Sequence, residues 1–333
     1  MKRGVSALGI CALCVALSLR CSEDPDTTDY RRLMRDFVQQ ISAYAKARSA
    51  AFVIIPQNGP ELCTVDGNED GFAATDYLDA IDGVGREDLY YGYDEDDEAT
   101  PPEDITYLEA FLDIAEANGV EALVTDYCAT PSKMADSYAR NAAKGYTRFA
   151  ADSRELDRIP TYPSQPYGVH AGDVTTLAQA KNFLYLLCPD NLWGSKQEFL
   201  NAIDATEYDA FIIDAFWAEE ALTAAEVSRL KTKPGGGQRL VIAYMSIGEA
   251  EDYRFYWQDE WYENHPSWMA GENPSWPGNY KVRYWDESWQ GIIFGQPDSY
   301  LDRILAAGFD GVYLDIIDAF EYFENAGEWW HAY

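Results

Sequence analysis

Histidine is scarce in this 333-residue chain: His170, His265 and His331 are the only three. A histidine-based catalytic triad or metal centre has little to draw on, and no metal site is expected. Cysteine excludes as much. Of six cysteines, Cys11 and Cys14 lie in an apolar N-terminal run and Cys21 directly follows it. Cys63, Cys128 and Cys188 show neither CxxC nor CxxH spacing, so neither a disulfide framework nor a zinc site is indicated. No GxGxxG follows an early strand pattern, which removes the usual dinucleotide fingerprint, and no cofactor is expected. Basic residues are few, 25 against 57 acidic ones, for a net charge of −32. Nucleic acid and anionic membrane surfaces repel such a chain. A cationic ligand is permitted, although an acid excess is ordinarily solvated surface.

At the N-terminus, Lys2 and Arg3 precede an apolar run from Val5 to Leu19 that breaks at Arg20-Cys21. A basic start and an apolar stretch too short to span comfortably describe an export signal over residues 1–20. Cys21 after that break invites lipidation, which would leave a membrane-anchored lipoprotein in the periplasm or at the cell surface. Arg20 stands where a lipobox has Gly or Ala, so ordinary secretion is the alternative. Residues 21–29 read as a solvated acidic tether.

The rest is rich in periodic pattern. Apolar residues at Leu33, Phe37, Ile41, Tyr44 and Ala45 predict an opening helix, with Thr28 or Asp29 as its N-cap. Short apolar runs predict strands at 51–55, 76–83, 121–125, 146–150, 183–187, 210–213, 240–245 and 308–314. Helical patterns at 105–117, 132–143, 196–205, 223–231 and 297–307 lie between several of them. The aromatic stretch 257–286 has no clear period and reads as a large loop over one face. Residues 159–172 look like a linker. Eight strands alternating with helices or crossover-length loops predict an α/β fold, a (β/α)8 TIM barrel, over residues 30–333. An open doubly wound sheet is the alternative.

On a barrel the strand-end polar residues converge at one face. Here they are Asp214, Glu249, Asp315, Asp318, Gln57, Asn58, Glu61, Glu87, Asp126 and Arg154. A strand-end aspartate equally well caps a helix or pairs with arginine. Asp318 can cap the tail helix, and Glu251 can pair with Arg254.

Three segments carry a resemblance: Val241 to Arg254, with its Tyr-Met-Ser-Ile-Gly-Glu core, Gly308 to Asp318, and Ile54-Ile55-Pro56-Gln57-Asn58-Gly59. They resemble glycoside hydrolase family 114, the endo-α-1,4-polygalactosaminidase-like group, in its bacterial TIM-barrel branch. The order departs from the family's. Residues 30–158 resemble its second half and 175–333 its first, joined by 159–174, which implies a circular permutation and places Tyr333 near Tyr30. The resemblance implies Asp315 and Glu87 as the catalytic carboxylates, Asp315 as nucleophile or base and Glu87 as acid, with the roles interchangeable. Asp214, Glu249 and Asp126 would then hold sugar hydroxyls or amines. Gln57 and Asn58 would line the site, and Tyr244, Tyr127 and Trp285 the subsites. The implied substrate is an α-1,4-linked amino-sugar polysaccharide, whose ammonium groups suit an acidic cleft. A non-catalytic glycan-binding lipoprotein on the same scaffold is the alternative.

Overall fold

The computed structural model describes residues 28–325. The expected leader 1–20, Cys21 and Tyr333 lie outside the described residues. The chain enters through α1 (Tyr30–Lys46), which buries Met34, Phe37, Val38 and Ile41 along one face. Asp29 is its cap, accepting from the Arg32 amide at 2.9 Å. Then come β1 (Val53–Pro56), α2 (Thr75–Leu78), β2 (Gly83–Glu87), α3 (Pro102–Ala117), β3 (Glu121–Tyr127), α4 (Pro131–Lys144) and β4 (Thr147–Ala151). After the 159–174 segment follow β5 (Leu184–Leu186), α5 (Lys196–Asp204), β6 (Ala210–Asp214), the hairpin β7 (Phe216–Trp217) and β8 (Glu220–Ala221), and α6 (Ala224–Leu230). The chain continues through β9 (Leu240–Ser246), β10 (Glu249–Glu251), β11 (Met269–Glu272), β12 (Asn279–Val282), α7 (Glu287–Ile293), α8 (Tyr300–Ala307), β13 (Gly311–Asp315) and α9 (Ala319–Glu324).

Two parallel sheets form, in the orders β1-β13-β9-β6-β5 and β2-β3-β4. Their edges meet through single bridges, Gln57 to Gly85 and Arg148 to Asn182. The continuous closed ladder expected of a barrel is therefore not formed. Part of the reason is local to the strand starts. Asp82 takes over the ladder bonding beside β1: its carboxylate accepts from the Ile54 amide at 2.9 Å, and its own amide donates to the Ile54 carbonyl at 2.9 Å.

The same device recurs. Asp310 accepts from the Val241 amide at 2.9 Å, and Asp209 from the Lys181 amide at 2.9 Å. Each of these aspartates has a lysine partner: Lys46 on Asp82 at 3.0 Å, Lys231 on Asp310 at 2.6 Å, and Lys233 on Asp209 at 3.0 Å. Lys233 also donates to the carbonyls of His170 and Gly172, at 2.9 and 3.0 Å, fastening the 159–174 segment beneath the sheet.

Two expectations change. Residues 76–83 are not a strand: they begin with the helical turn α2, and the strand is Gly83–Glu87. Its glycines hide it from a hydrophobic-period reading, and Gly85 is required because a Cβ there would come within 2.1 Å of the Tyr313 hydroxyl. The 257–286 stretch is not a bare loop. It contains β11 and β12, which join β10 in an antiparallel sheet ordered β10-β12-β11. The alternation is short and broken by a register shift between Met269 and Glu272, so no period of two shows in the sequence.

The centre of the larger sheet is the β9–β13 ladder, which pairs Tyr313 with Tyr244 and Asp315 with Ser246. Beyond its end the chains stay in contact. A Cβ on Gly248 would lie 1.9 Å from the Ile316 carbonyl oxygen, so the turn after β9 admits only glycine. Ile316 itself sits at φ 58, a strained conformation for a β-branched residue, directly beside Asp315.

Candidate active site

The carboxyl ends of the strands open into a cleft of about 820 Å³, within the range of roughly 300–1,000 Å³ usual for ligand sites. β13 delivers Asp315, β2 Glu87, β3 Tyr127, β6 Asp214, β9 Tyr244 and β10 Glu249 to its lining, and the residues after β1 add Gln57 and Asn58. Carboxylates outnumber cations in the walls. The cations that accompany them are Arg154, Arg254 and Lys281.

Asp315 accepts from the Tyr244 hydroxyl at 2.6 Å and from the Ile316 amide at 2.8 Å. Burial nevertheless pushes its carboxyl up to about 8, and the charges of Glu87 and Asp318 reinforce the shift. At neutral pH the group holds a proton. Glu87 accepts on both oxygens, from the Tyr127 hydroxyl on one and from the Asn58 side-chain amide at 3.0 Å on the other. Burial and the Glu87 charge raise the Tyr127 pKa, so that phenol stays a donor. Arg154 stacks on the Tyr127 ring at 4.1 Å while paired with Asp88 at 3.0 Å. Tyr127 and Asn58 thus both orient Glu87, and Arg154 packs on the Tyr127 ring.

Other expected residues serve the walls. Asp214 takes two bonds from the Arg254 guanidinium, at 2.8 and 2.9 Å, and Arg254 also bonds Glu251 at 2.5 Å. The Glu251 and Arg254 pairing read from their spacing is present. Glu249 is buried and bonded to Asn273 at 2.9 Å and Lys281 at 3.1 Å. Gln57 is buried, accepting from the Tyr185 hydroxyl at 3.0 Å. Asp318 lines the cleft, and its side chain makes no capping bond to α9.

Three expected residues do not reach the cleft, among them Glu61, which accepts from the Tyr107 hydroxyl at 2.8 Å. Asp126 is fully buried, its carboxylate consumed by the amides of Tyr90 and Tyr91 and by Ser137 and Asn141. The next residue, Tyr127, faces the site instead. Trp285 packs on Tyr30, Tyr284 and Phe323, with ring centroids 5.2, 4.9 and 4.8 Å away. Conversely, Tyr253, Asn273, Trp276 and Lys281 line the cleft, and strand-end counting missed them. They belong to the antiparallel sheet and its turns. The available signal was Trp276 itself, set between Pro274 and Pro277, where it cannot belong to a core strand.

Carboxyl groups from the ends of β2 and β13 thus line one acidic cleft of an α/β protein. Residues 171–328 match the family model described as glycoside-hydrolase family GH114. The matched stretch includes Asp214, Glu249 and Asp315. Among curated proteins, an uncharacterized protein of Thermotoga maritima is 55% identical over 86 residues, 26% of this chain and 25% of its own length. One of Deinococcus radiodurans is 41% identical over 134 residues, 40% of this chain and 41% of its own. One of Methanocaldococcus jannaschii is 54% identical over 102 residues, 31% of this chain and 27% of its own. The matched stretches thus span well under half of these relatives.

The Asp315 shift carries a stability consequence. The folded chain keeps this proton up to about pH 8, whereas the ordinary carboxyl value is 3.8. Between those limits the folded state binds more protons, so the group's contribution is fully present below the lower value and is lost as pH rises through the upper one. Asp315→Asn should match wild type near pH 4 and exceed it at pH 8, by about 1–3 kcal/mol once solvent access is allowed for. Denaturant unfolding at both pH values checks this, and a difference that does not grow with pH contradicts it.

Proposed function

We propose that this chain is a glycoside hydrolase that cleaves α-1,4-linked amino-sugar polysaccharide with the Asp315 and Glu87 pair. The observation that carries the reading is that two carboxyl groups from β13 and β2 line one acidic cleft, close enough for the charge of Glu87 to raise Asp315. Hydrolysis of a glycosidic bond needs one protonated and one ionised carboxyl. In this reading Asp315 protonates the leaving oxygen, and Glu87, oriented by Tyr127 and Asn58, attacks the anomeric carbon or activates water. The acid walls supply counter-charge for ammonium groups. The GH114 match of residues 171–328 supports the reaction class, and a shared cleft for the pair favours catalysis over glycan binding alone.

Reducing-end release from polygalactosamine and chitosan checks the proposal. Asp315→Asn and Glu87→Gln should each lower it by about 10²-fold or more. The kcat/KM of the wild type should fall as pH rises through about 8, because the acid loses its proton. A kcat/KM that rises through that pH would exchange the two roles, and release untouched by both substitutions would remove the pair.

We further infer a circularly permuted (β/α)8 barrel. Supporting this, the family match begins at residue 171, the eight parallel strands bridge at both sheet edges, and α1 meets α9. There Tyr30 lies 5.6 Å from Phe323, and Arg31 pairs with Glu324 at 3.0 Å. A rearranged gene encoding residues 175–325 followed by 28–158 should yield a cooperatively folding protein with the same circular dichroism. An insoluble or non-cooperative product counts against the permutation. Export with a lipid on Cys21 is the proposed localisation. Radiolabelled palmitate should be incorporated by the full chain and not by Cys21→Ser, and equal labelling of both would refute it.

A further inference from the structure

The antiparallel sheet holds an aromatic feature that the two-carboxylate reading leaves unused. Trp276 is 54% exposed, yet it lines the same cleft as Asp315. Tyr253, 56% exposed, lines it too. Large exposed aromatics that face a cleft, rather than open surface, mark a place where something apolar is meant to lie.

The turn between β11 and β12 holds Trp276 firmly. Its amide donates to the Asn273 carbonyl at 3.2 Å, and its carbonyl accepts from the Asn279 amide at 3.1 Å. The Asn273 side chain accepts from the Ser275 amide at 3.0 Å and donates to Glu249 at 2.9 Å. Pro274 and Pro277 fix the backbone on either side, and Gly278, at φ 91, lets the turn close against Asp252. Among the described residues no aromatic ring packs against Trp276. Trp261 and Trp268, in the same region, are buried against each other at 5.1 Å. The ring therefore lies on a rigid arm braced to Glu249 and is only half covered by protein.

We infer that Trp276, with Tyr253 as a second surface, is a stacking platform for a pyranose ring of a polymeric substrate, outside the bond-cleaving pair. The chemistry selects this occupant. An aromatic face is electron-rich and attracts the polarised C–H bonds on one face of a sugar, while the acceptor carboxylates around it take the donors at the ring's edge. A flat aromatic ligand would leave those carboxylates unpartnered. The platform rests on the proposed reading of the cleft as a carbohydrate site, and it assigns preference for chain length to the antiparallel sheet rather than to the parallel strands. Little ordering entropy is lost on binding, because the turn is already fixed.

The test separates the two ideas by measuring binding and cleavage independently. Titration calorimetry of the Asp315→Asn protein with galactosamine and glucosamine oligomers of two and six rings should show tighter binding of the longer oligomers. Adding Trp276→Ala should abolish that gain, a loss of at least about tenfold for six rings with little change for two. Trp276→Phe should restore most of it, which a general disturbance of the turn would not allow. Hexamer affinity unchanged by Trp276→Ala overturns the platform, even if wild type releases reducing ends. Loss confined to the hexamer in a protein that cleaves no polymer keeps the platform and removes the hydrolase. Failure of every oligomer to bind overturns the platform.

Discussion

The parallel ladder between β9 and β13 is the constraint on which the rest of the molecule depends. It lies at the centre of the larger sheet and sets Asp315 level with Ser246. One turn further on, Gly248 lies against the Ile316 carbonyl with no room for a side chain. The two strand ends are thus held in contact exactly where the chain must bend to expose a carboxyl group. Ile316 at positive φ is the local cost of that bend, and the ladder and the Gly248 contact supply the restraint that keeps it.

The molecule treats its acidic residues in opposite ways at its two ends. At the strand starts, Asp82, Asp209 and Asp310 each complete backbone hydrogen bonding and each has a lysine. They are structural parts, neutralised in place. At the strand ends, acids crowd one cleft. Some are tied to Arg254 and Lys281, while Asp315 is left with a tyrosine and a backbone amide. Burial beside Glu87 without a cation raises its pKa. The same residue type therefore holds the fold together at one end and stores a proton at the other.

The antiparallel sheet extends the site beyond what the parallel strands can supply. Glu249 links the two, because it opens β10 just beyond the turn after β9 and is bonded to both Asn273 and Lys281. A wall built this way can vary its turn without disturbing the strand ends. Mixed architecture of this kind is how parallel α/β scaffolds commonly differentiate their binding surfaces.

By itself, the sequence determined the order of most strands and helices, since apolar runs such as Val241 to Met245 and the spacing of Phe37 and Ile41 report burial directly. It also marked Asp315 as a polar residue closing a buried run, whereas its pairing with Glu87 came from the family resemblance. Pattern reading failed where burial and period part company: Gly83 to Glu87 is too rich in glycine to look like a strand, and residues 257–286 alternate too briefly. Only the tertiary structure decided which acids stay open to the cleft. Asp126 closes a buried run as Asp315 does, yet four donors from β2's following loop and α4 consume it. Trp285 and Trp276 are equally aromatic, and packing against Tyr30 and Phe323 removes one while two prolines present the other. The reason is physical: hydrophobic period is a property of neighbours along the chain, whereas a side chain's hydrogen-bond partners come from elements far apart in sequence.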